Sequence, residues 1–207
     1  MDNSRAAGPS RVTLVAVTAL PTWTSVPLTA AEYAALPEME GRYELQEGAI
    51  VVAGSPVPDH QNGVLELALQ LREQTPPQLR TVVGVDIDLE LVPASEPGTV
   101  RVPDLVVVTE ASFQRVRDEG GLLRAADVLL AVEILSRSTR RTDSVIKRAE
   151  YADAGIGHYW IIDLLDGPSL AGCHLAGEFG YVDDPPVRGL FSTDDPFPAR
   201  IDLDQLR

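Results

Sequence analysis

The sequence has only one cysteine and only one lysine, and each scarcity limits what the protein can be. A single thiol, Cys173, excludes an internal disulfide framework and a zinc site built from cysteines. No run approaches the roughly 20 apolar residues that a bilayer-spanning helix needs, so we expect no membrane segment and a cytoplasmic location. The 17 basic side chains are Lys147 and otherwise arginine, which leaves Lys147 as the one compact ammonium charge.

Basic residues are also few beside the acidic ones. The 31 Asp and Glu give a net charge of −14, which argues against a protein that holds nucleic acid through its overall charge. The charge is uneven, because residues 136–148 contain four Arg and one Lys against one Asp, a local +4. The composition therefore excludes loose electrostatic coating of nucleic acid and still allows a small basic rim.

Length and apolar content predict one domain with a real core. The chain has 207 residues, of which 44% are apolar. Residues 1–27 show no sustained period and are interpreted as a flexible extension, with a domain over 28–207. Periodicity and turn residues predict helices at 29–36, 59–74 and 142–155, strands at 42–45, 49–53, 83–91, 105–108, 128–135 and 159–162, and weak strands at 171–175 and 179–182. This order predicts a single α/β (α+β) domain around one mixed sheet flanked by helices.

Two carboxylates lie in or beside strands that are apolar on both faces. Asp104 precedes the run 105–108, and Glu133 lies inside the run 128–135. A buried carboxylate is costly unless it is paired, protonated or bound to a cation. One interpretation is that both bind a divalent ion, for which Mg²⁺ or Mn²⁺ is suited. The other is that Glu133 forms a salt bridge with Arg101 or Arg148 while Asp104 caps a turn.

The single lysine lies on the predicted helix that follows the Glu133 strand. Helical spacing places Asp143, Glu150 and Tyr151 on the same face as Lys147. A surface ion pair with a glutamate is one interpretation, and Tyr151 is expected to be a core aromatic residue. The other interpretation is that Lys147 lies near a metal, where an ammonium group can orient water or stabilise developing phosphate charge.

Five motifs follow one another in the order of a known family. They are Tyr43-Glu-Leu-Gln-Glu-Gly48, Ser55-Pro-Val-Pro-Asp-His-Gln61, Val102-Pro-Asp-Leu-Val-Val-Val108, Val132-Glu-Ile-Leu-Ser-Arg-Ser-Thr139, and Asp143 through Lys147, Tyr151 and Gly155 to Tyr159-Trp-Ile-Ile-Asp163. The sequence over 43–163 resembles the Uma family of restriction-endonuclease-like proteins, within the PD-(D/E)XK nuclease superfamily. The order makes the resemblance specific, because each motif alone is weak.

The resemblance implies a restriction-endonuclease-like fold and hydrolysis of DNA phosphodiesters with Mg²⁺ or Mn²⁺. It implies metal ligation by Asp104, Glu133, the backbone carbonyl of Ile134 and the additional acid Glu44. It also matches Lys147 to the catalytic lysine. His60 matches a family histidine, and a general base, a metal neighbour and a helix cap are all open roles for it. A homodimer is also plausible, because nucleases of this superfamily often pair to cut both strands.

The sequence departs from the superfamily pattern at two positions. Leu135 stands where a (D/E)XK motif has lysine, and Arg137 stands where relatives commonly have proline. These departures favour an alternative, a nuclease-fold module that binds DNA or protein without cleaving. A hydrolase of another phosphate ester is a second alternative. Phosphate contacts are expected from the arginines of the basic segment, Arg137, Arg140, Arg141 and Arg148.

Overall fold

The protein is built around β-strands. The computed structural model describes residues 26–37, 41–54, 57–136, 139–165, 167–177 and 180–207. The described strands are β1 (Tyr43–Gln46), β2 (Ala49–Val52), β3 (Leu79–Val83), β4 (Ile87–Asp88), β5 (Val100–Arg101), β6 (Leu105–Thr109), β7 (Leu123–Arg124), β8 (Val128–Leu135), β9 (His158–Asp163), β10 (Ser169–Leu175), β11 (Tyr181–Asp183), β12 (Val187–Arg188), β13 (Leu190–Thr193) and β14 (Ala199–Asp202).

Among the described residues, four α-helices, one π-helix and two 3₁₀ turns accompany the strands. The α-helices are α1 (Ala30–Ala34), α2 (Pro58–Gln74), α3 (Glu110–Glu119) and α4 (Arg148–Asp153). A π-helix over Thr142–Lys147 leads directly into α4, and 3₁₀ turns cover Ala125–Asp127 and Leu203–Leu206. Within the described ranges, none of the helices is long and apolar enough to cross a membrane.

A seven-stranded mixed sheet forms the centre of the fold. Its order is β11-β10-β9-β8-β6-β3, and β12 pairs with β10. Strands β8 and β9 are parallel, whereas the other neighbours are antiparallel. A second sheet has the order β2-β1-β5-β4-β7, and β13 with β14 forms a hairpin. The prediction of an α+β domain around a mixed sheet is therefore confirmed.

The central strands are apolar on both faces because each face supports its own core. Alternate residues of β6 and β8 pack on one face against α2 and the C-terminal 3₁₀ turn, through side chains such as Leu67 and Leu206. The intervening residues pack on the other face against Tyr151 and Tyr159. A strand buried on both sides reads as a continuous apolar run, which is why 105–108 and 128–135 were predictable as strands.

The prediction of one strand over 83–91 is wrong. Val83 ends β3 in the central sheet, whereas Ile87 lies in β4 of the second sheet. Between them Gly84 has a φ of +59°, a left-handed conformation that ends an extended run. Alternating polarity indicates which face of a strand is buried, but it does not reveal that the chain changes sheets within the pattern.

The predicted helix over 142–155 is present but begins in a different form. Its first six residues, Thr142–Lys147, form a π-helix, and α4 ends at Asp153 before Gly155 with a φ of +78°. The wider π-helical turn buries both Asp143 and Lys147 on the inner side. Such turns are rare in α-helical segments and are frequent at functional sites. Helix α3 and the β13–β14 hairpin were not predicted.

Helix α2 approaches the C-terminal 3₁₀ turn closely at Gly63. A Cβ atom there would lie 2.8 Å from Leu164 Cδ1 and 3.2 Å from the backbone oxygen of Leu206. We expect Gly63→Ala to lower the free energy of unfolding by about 1–2 kcal/mol, because overpacking outweighs the helix propensity gained. Urea unfolding measures it against Gln61→Ala at an exposed position of the same helix. A Gly63→Ala variant as stable as the wild type would contradict this packing.

Candidate active site

The two candidate metal-binding carboxylates face each other across neighbouring strands. In the β6–β8 pairing Leu105 lies opposite Val132, so the next pair outward is Asp104 and Glu133. Residues opposite each other in an antiparallel pair project to the same face. Asp104 is 7% exposed and Glu133 is 3% exposed. The strand register therefore brings together two buried carboxylates that are 29 positions apart in the chain.

Next to these carboxylates, the side chain of Asp104 takes the place of a backbone hydrogen-bond partner for β8. The Ile134 N–H donates to Asp104 Oδ2 over 2.8 Å, in place of a backbone partner on the neighbouring strand. The same register sets Ile134 opposite Pro103, which has no N–H to offer the Ile134 carbonyl. Within a strand, the N–H and C=O of one residue point the same way, so this carbonyl faces the Asp104 side.

Lys147 reaches Glu133 from the π-helix. Its Nζ lies 2.8 Å from Glu133 Oε1, 2.9 Å from Glu44 Oε1 and 3.7 Å from Asp143 Oδ1. Burial alone lowers the pKa of a lysine, but these three carboxylates raise the pKa of Lys147 well above its ordinary value. The interpretation of Lys147 as part of a surface ion pair is therefore wrong, because the ammonium group is buried among carboxylates. It lies beside the acid although Leu135 occupies the usual lysine position.

Glu44 is held by partners on both of its carboxylate oxygens. Oε2 accepts a hydrogen bond from Arg101 Nη1 at 2.9 Å, and Oε1 accepts from the Val102 N–H at 3.2 Å as well as contacting Lys147. Burial raises the pKa of Glu44, but Lys147 and Arg101 together lower it below its ordinary value. Arg101 is itself fixed by two further hydrogen bonds to Glu150. Glu44 is thus an ionised, immobilised anchor for Lys147.

The environment of Glu133 disfavours the ionised form of its carboxylate. Burial raises its pKa well above the ordinary value, Asp104 and Asp143 add to the effect, and Lys147 opposes it. Besides the bond from Lys147, Oε1 accepts a hydrogen bond from the Tyr151 hydroxyl at 3.0 Å. The expected alternative partners are wrong, since Arg101 pairs with Glu44 and Glu150. Arg148 bonds instead to Asp183 and the Tyr181 carbonyl.

His60 closes the other side of Asp104. Its Nε2 lies 3.0 Å from Asp104 Oδ2, and this hydrogen bond raises the pKa of His60 above its ordinary value. The Nδ1 atom is buried and has no hydrogen-bond partner among the described residues. Helix α2 carries His60 in its first turn, where Val57 as N-cap makes no side-chain capping bond. His60 is therefore an Asp104 neighbour and not a helix cap.

A cavity of about 640 Å³ opens onto these groups. It is lined by Arg42, Glu44, Ala53, Gly54, Val57, Asp59, His60, Val102, Asp104, Glu133, Ile134, Leu135, Ser136, Thr139, Asp143, Lys147, Leu164 and Leu165. The five predicted catalytic side chains, Glu44, His60, Asp104, Glu133 and Lys147, all lie in this lining. Five separate segments of the chain, one from each sequence motif, thus converge on one cavity.

The predicted phosphate-binding arginines are placed differently. Arg137 lies outside the described residues, and the other three do not line the cavity. Arg140 pairs with Asp163 at 2.7 Å, Arg148 is bound at β11, and Arg141 is exposed. These three remain a predicted outer rim and do not line the cavity that contains the carboxylates.

Sequence reasoning missed three residues of this site. Arg42 lines the cavity with Nη2 4.0 Å from Asp104 Oδ1, Asp143 contacts Lys147, and the Tyr151 hydroxyl contacts Glu133. The helical spacing had already placed Asp143 and Tyr151 on the face of Lys147, and that signal was sufficient to include them. No signal pointed to Arg42, which merely precedes a short strand.

The residues present fit a divalent cation held by few side chains. Among the described residues, no group of three or more His, Cys, Asp and Glu is placed to hold a metal ion. Mg²⁺, however, is commonly bound through one or two carboxylates with the remaining positions filled by water. Asp104 and Glu133 offer two facing carboxylates. Burial and the repulsion from Asp104 raise the pKa of Glu133, and a cation would relieve that repulsion.

Comparisons with known proteins identify the family and the fold. Residues 30–193 match the Uma2 family, described as "Putative restriction endonuclease", so the chain belongs to that family. A crystal structure of a "putative nuclease belonging to DUF820" from Anabaena variabilis ATCC 29413 superposes with a TM-score of 0.63 at 20% identity. That match covers 87% of this chain and 97% of the other, and it confirms a shared fold. No match was found among curated proteins.

Proposed function

We propose that this protein is an endonuclease that hydrolyses DNA phosphodiester bonds with the help of Mg²⁺ or Mn²⁺. The observation that carries the proposal is the facing pair Asp104 and Glu133, with Lys147 2.8 Å from the second carboxylate. Membership of a restriction-endonuclease family supports a nucleic-acid substrate. That the nucleic acid is DNA is part of this proposal. A homodimer remains a prediction, which a measurement of the oligomeric state in solution would test.

The ion would be held by Asp104, Glu133 and the carbonyl of Ile134. When bound, it supplies Lewis acidity towards water and the phosphate oxygens. Glu44 does not fit a direct ligand in this arrangement, because Arg101, Val102 and Lys147 already occupy its oxygens. Its role in the proposal is to fix Lys147 in place.

Lys147 acts through its charge and not as a base. Its pKa is raised, so the ammonium group keeps its proton across the neutral range and cannot accept one from water. A fixed positive charge beside Glu133 orients that carboxylate and stabilises negative charge that develops on a phosphate. His60, whose Nε2 contacts Asp104, would hold or release a proton at that atom.

The decisive experiment is Asp104→Asn, assayed with plasmid DNA, single-stranded DNA and a chromogenic phosphodiester in Mg²⁺ and in Mn²⁺. Loss of one anionic ligand is expected to lower cleavage roughly 100-fold or more, since the ion supplies several kcal/mol. Calorimetric binding of Mn²⁺ should be lost in parallel. Asp118→Asn, at an exposed ion pair with Arg117, is the matched control.

Three results would contradict the proposal in different ways. Wild type that cleaves nothing but binds DNA would favour the non-catalytic module. Activity on the chromogenic ester alone would favour another phosphate ester as substrate. Undiminished cleavage by Asp104→Asn would remove Asp104 from the site.

A further inference from the structure

A second cavity of about 340 Å³ adjoins the candidate active site. Arg42 and Val102 line both cavities, so the two spaces share a wall. The Arg42 guanidinium is the cation at this junction, and its side chain is one-third exposed. Its contact with Asp104, at 4.0 Å, is longer than a tight ion pair. The planar guanidinium is thus available to a phosphate lying between the two spaces.

Among the described residues, the lining of the second cavity combines aromatic and apolar side chains with one carboxylate. Tyr33, Tyr43, Leu36, Pro37, Val102 and Leu122 are among its lining residues. Asp86 supplies the carboxylate, and its Oδ1 accepts a hydrogen bond from the Tyr33 hydroxyl at 3.1 Å. The same hydroxyl lies 3.0 Å from the Tyr43 carbonyl oxygen, which fixes the ring against β1.

The burial of the Asp86 carboxylate is only partly compensated by its hydrogen bonds. Burial raises its pKa above the ordinary value, and the Tyr33 hydrogen bond only partly opposes the effect. A ligand that donates a hydrogen bond to this carboxylate would relieve the cost, whereas a ligand that presents another acceptor would increase it. A carboxylate in the lining therefore favours a ligand that presents a hydrogen-bond donor over one that presents an acceptor.

We propose that the second cavity is a subsite for an unpaired nucleobase of the strand bound at the candidate active site. Asp86 selects bases that present an amino group, and Arg42 binds the phosphate that links the base to the cleavage position. The inference rests on the proposed function, because it takes DNA as the ligand.

The chemistry of the bases supports this assignment. Cytosine presents the N4 amino donor where thymine presents the O4 acceptor, so a carboxylate favours the first and repels the second. Aromatic side chains offer a stacking surface for any base. A base can enter such a cavity only when it is out of the duplex, so the selection should appear on single strands.

A binding experiment tests the subsite without requiring cleavage. The Asp104→Asn protein is titrated, without metal, with labelled dC and dT decamers, which have the same backbone and similar size. We expect dC to bind roughly fivefold or more tightly than dT. Adding Asp86→Asn should abolish this difference, because an asparagine amide can donate to thymine as well as accept. Adding Arg42→Gln should instead weaken both decamers alike.

Equal affinities for dC and dT, or a difference that survives Asp86→Asn, would overturn the subsite. Asp118→Asn, in the same background, should keep the difference and controls for loss of one negative charge. Sequencing of products from wild type with Mn²⁺ and random single strands gives the second readout. Thymine should be depleted at one fixed offset from the cut, and a flat distribution would overturn the inference. Absence of any cleavage would count against the proposed function alone, since the decamer titration still decides the subsite.

Discussion

Replacement of Lys147 by methionine is expected to lower the free energy of unfolding by about 3–5 kcal/mol at pH 7. The side chain is 6% exposed, and its ammonium group contacts Glu133, Glu44 and Asp143. Methionine fills similar space but leaves these carboxylates buried together without their shared cation. Urea unfolding measures the loss, and Arg141→Met, at an exposed position six residues away, should change stability by less than about 0.5 kcal/mol.

The same variant should show a characteristic pH dependence. In the wild type the raised pKa of Lys147 means that its stabilisation is fully present at neutral pH and is lost only as the pH rises through the alkaline range. Without Lys147 the buried carboxylates have raised pKa values in the folded state. A carboxyl group whose pKa is raised by folding stabilises the folded state at a pH below its unfolded pKa, and this stabilisation is lost as the pH rises. The defect should therefore be smaller at pH 5 than at pH 7.5, and an equal defect at both would contradict the assignment.

Glu133→Gln is expected to separate activity from stability. Cleavage should fall roughly 100-fold or more, because a neutral amide is a poor ligand for a divalent cation. The free energy of unfolding should stay within about 1 kcal/mol of the wild type. The amide oxygen can still accept from Lys147 and Tyr151, and the substitution removes a charge whose burial is unfavourable.

Two measurements check this second prediction. Initial cleavage rates in Mn²⁺ give the activity, and urea unfolding of the same preparations gives the stability. Glu119→Gln, at an exposed position at the end of α3, should leave both unchanged. A Glu133→Gln protein that cleaves DNA normally would exclude Glu133 as a ligand. A folded-state loss of several kcal/mol would instead show that its charge is structurally required.

Much of the candidate site was predictable because buried charge is conspicuous in an apolar strand. Asp104 and Glu133 could be selected from their positions in or beside apolar runs, since carboxylates there need compensation. The scarcity of lysine singled out Lys147, the family resemblance added Glu44 and His60, and all five line one cavity. Helical periodicity also predicted α2, and apolar runs predicted β6, β8 and β9 of the central sheet, with weak strands near β10 and β11.

Other features depended on contacts that local patterns do not contain. The pattern over 83–91 has one period, yet the chain turns at Gly84 and contributes to two sheets. No sequence pattern distinguishes Arg42 and Asp86, and they become candidate functional residues only because they line the cavities. Glu44 was expected to bind metal, but its oxygens are engaged by Arg101, Val102 and Lys147.

The sequence by itself determined that Asp104 and Glu133 would be buried and that each would need a partner. That follows from the cost of removing charge from water, which depends on the residue and its neighbours along the chain. Only the tertiary structure decided which residues are the partners. Lys147 forms ion pairs with both Glu133 and Glu44, while Arg101 forms ion pairs with Glu44 and Glu150. Such pairings are set by strand register and by a π-helical turn, and both arise from packing between segments far apart in the chain.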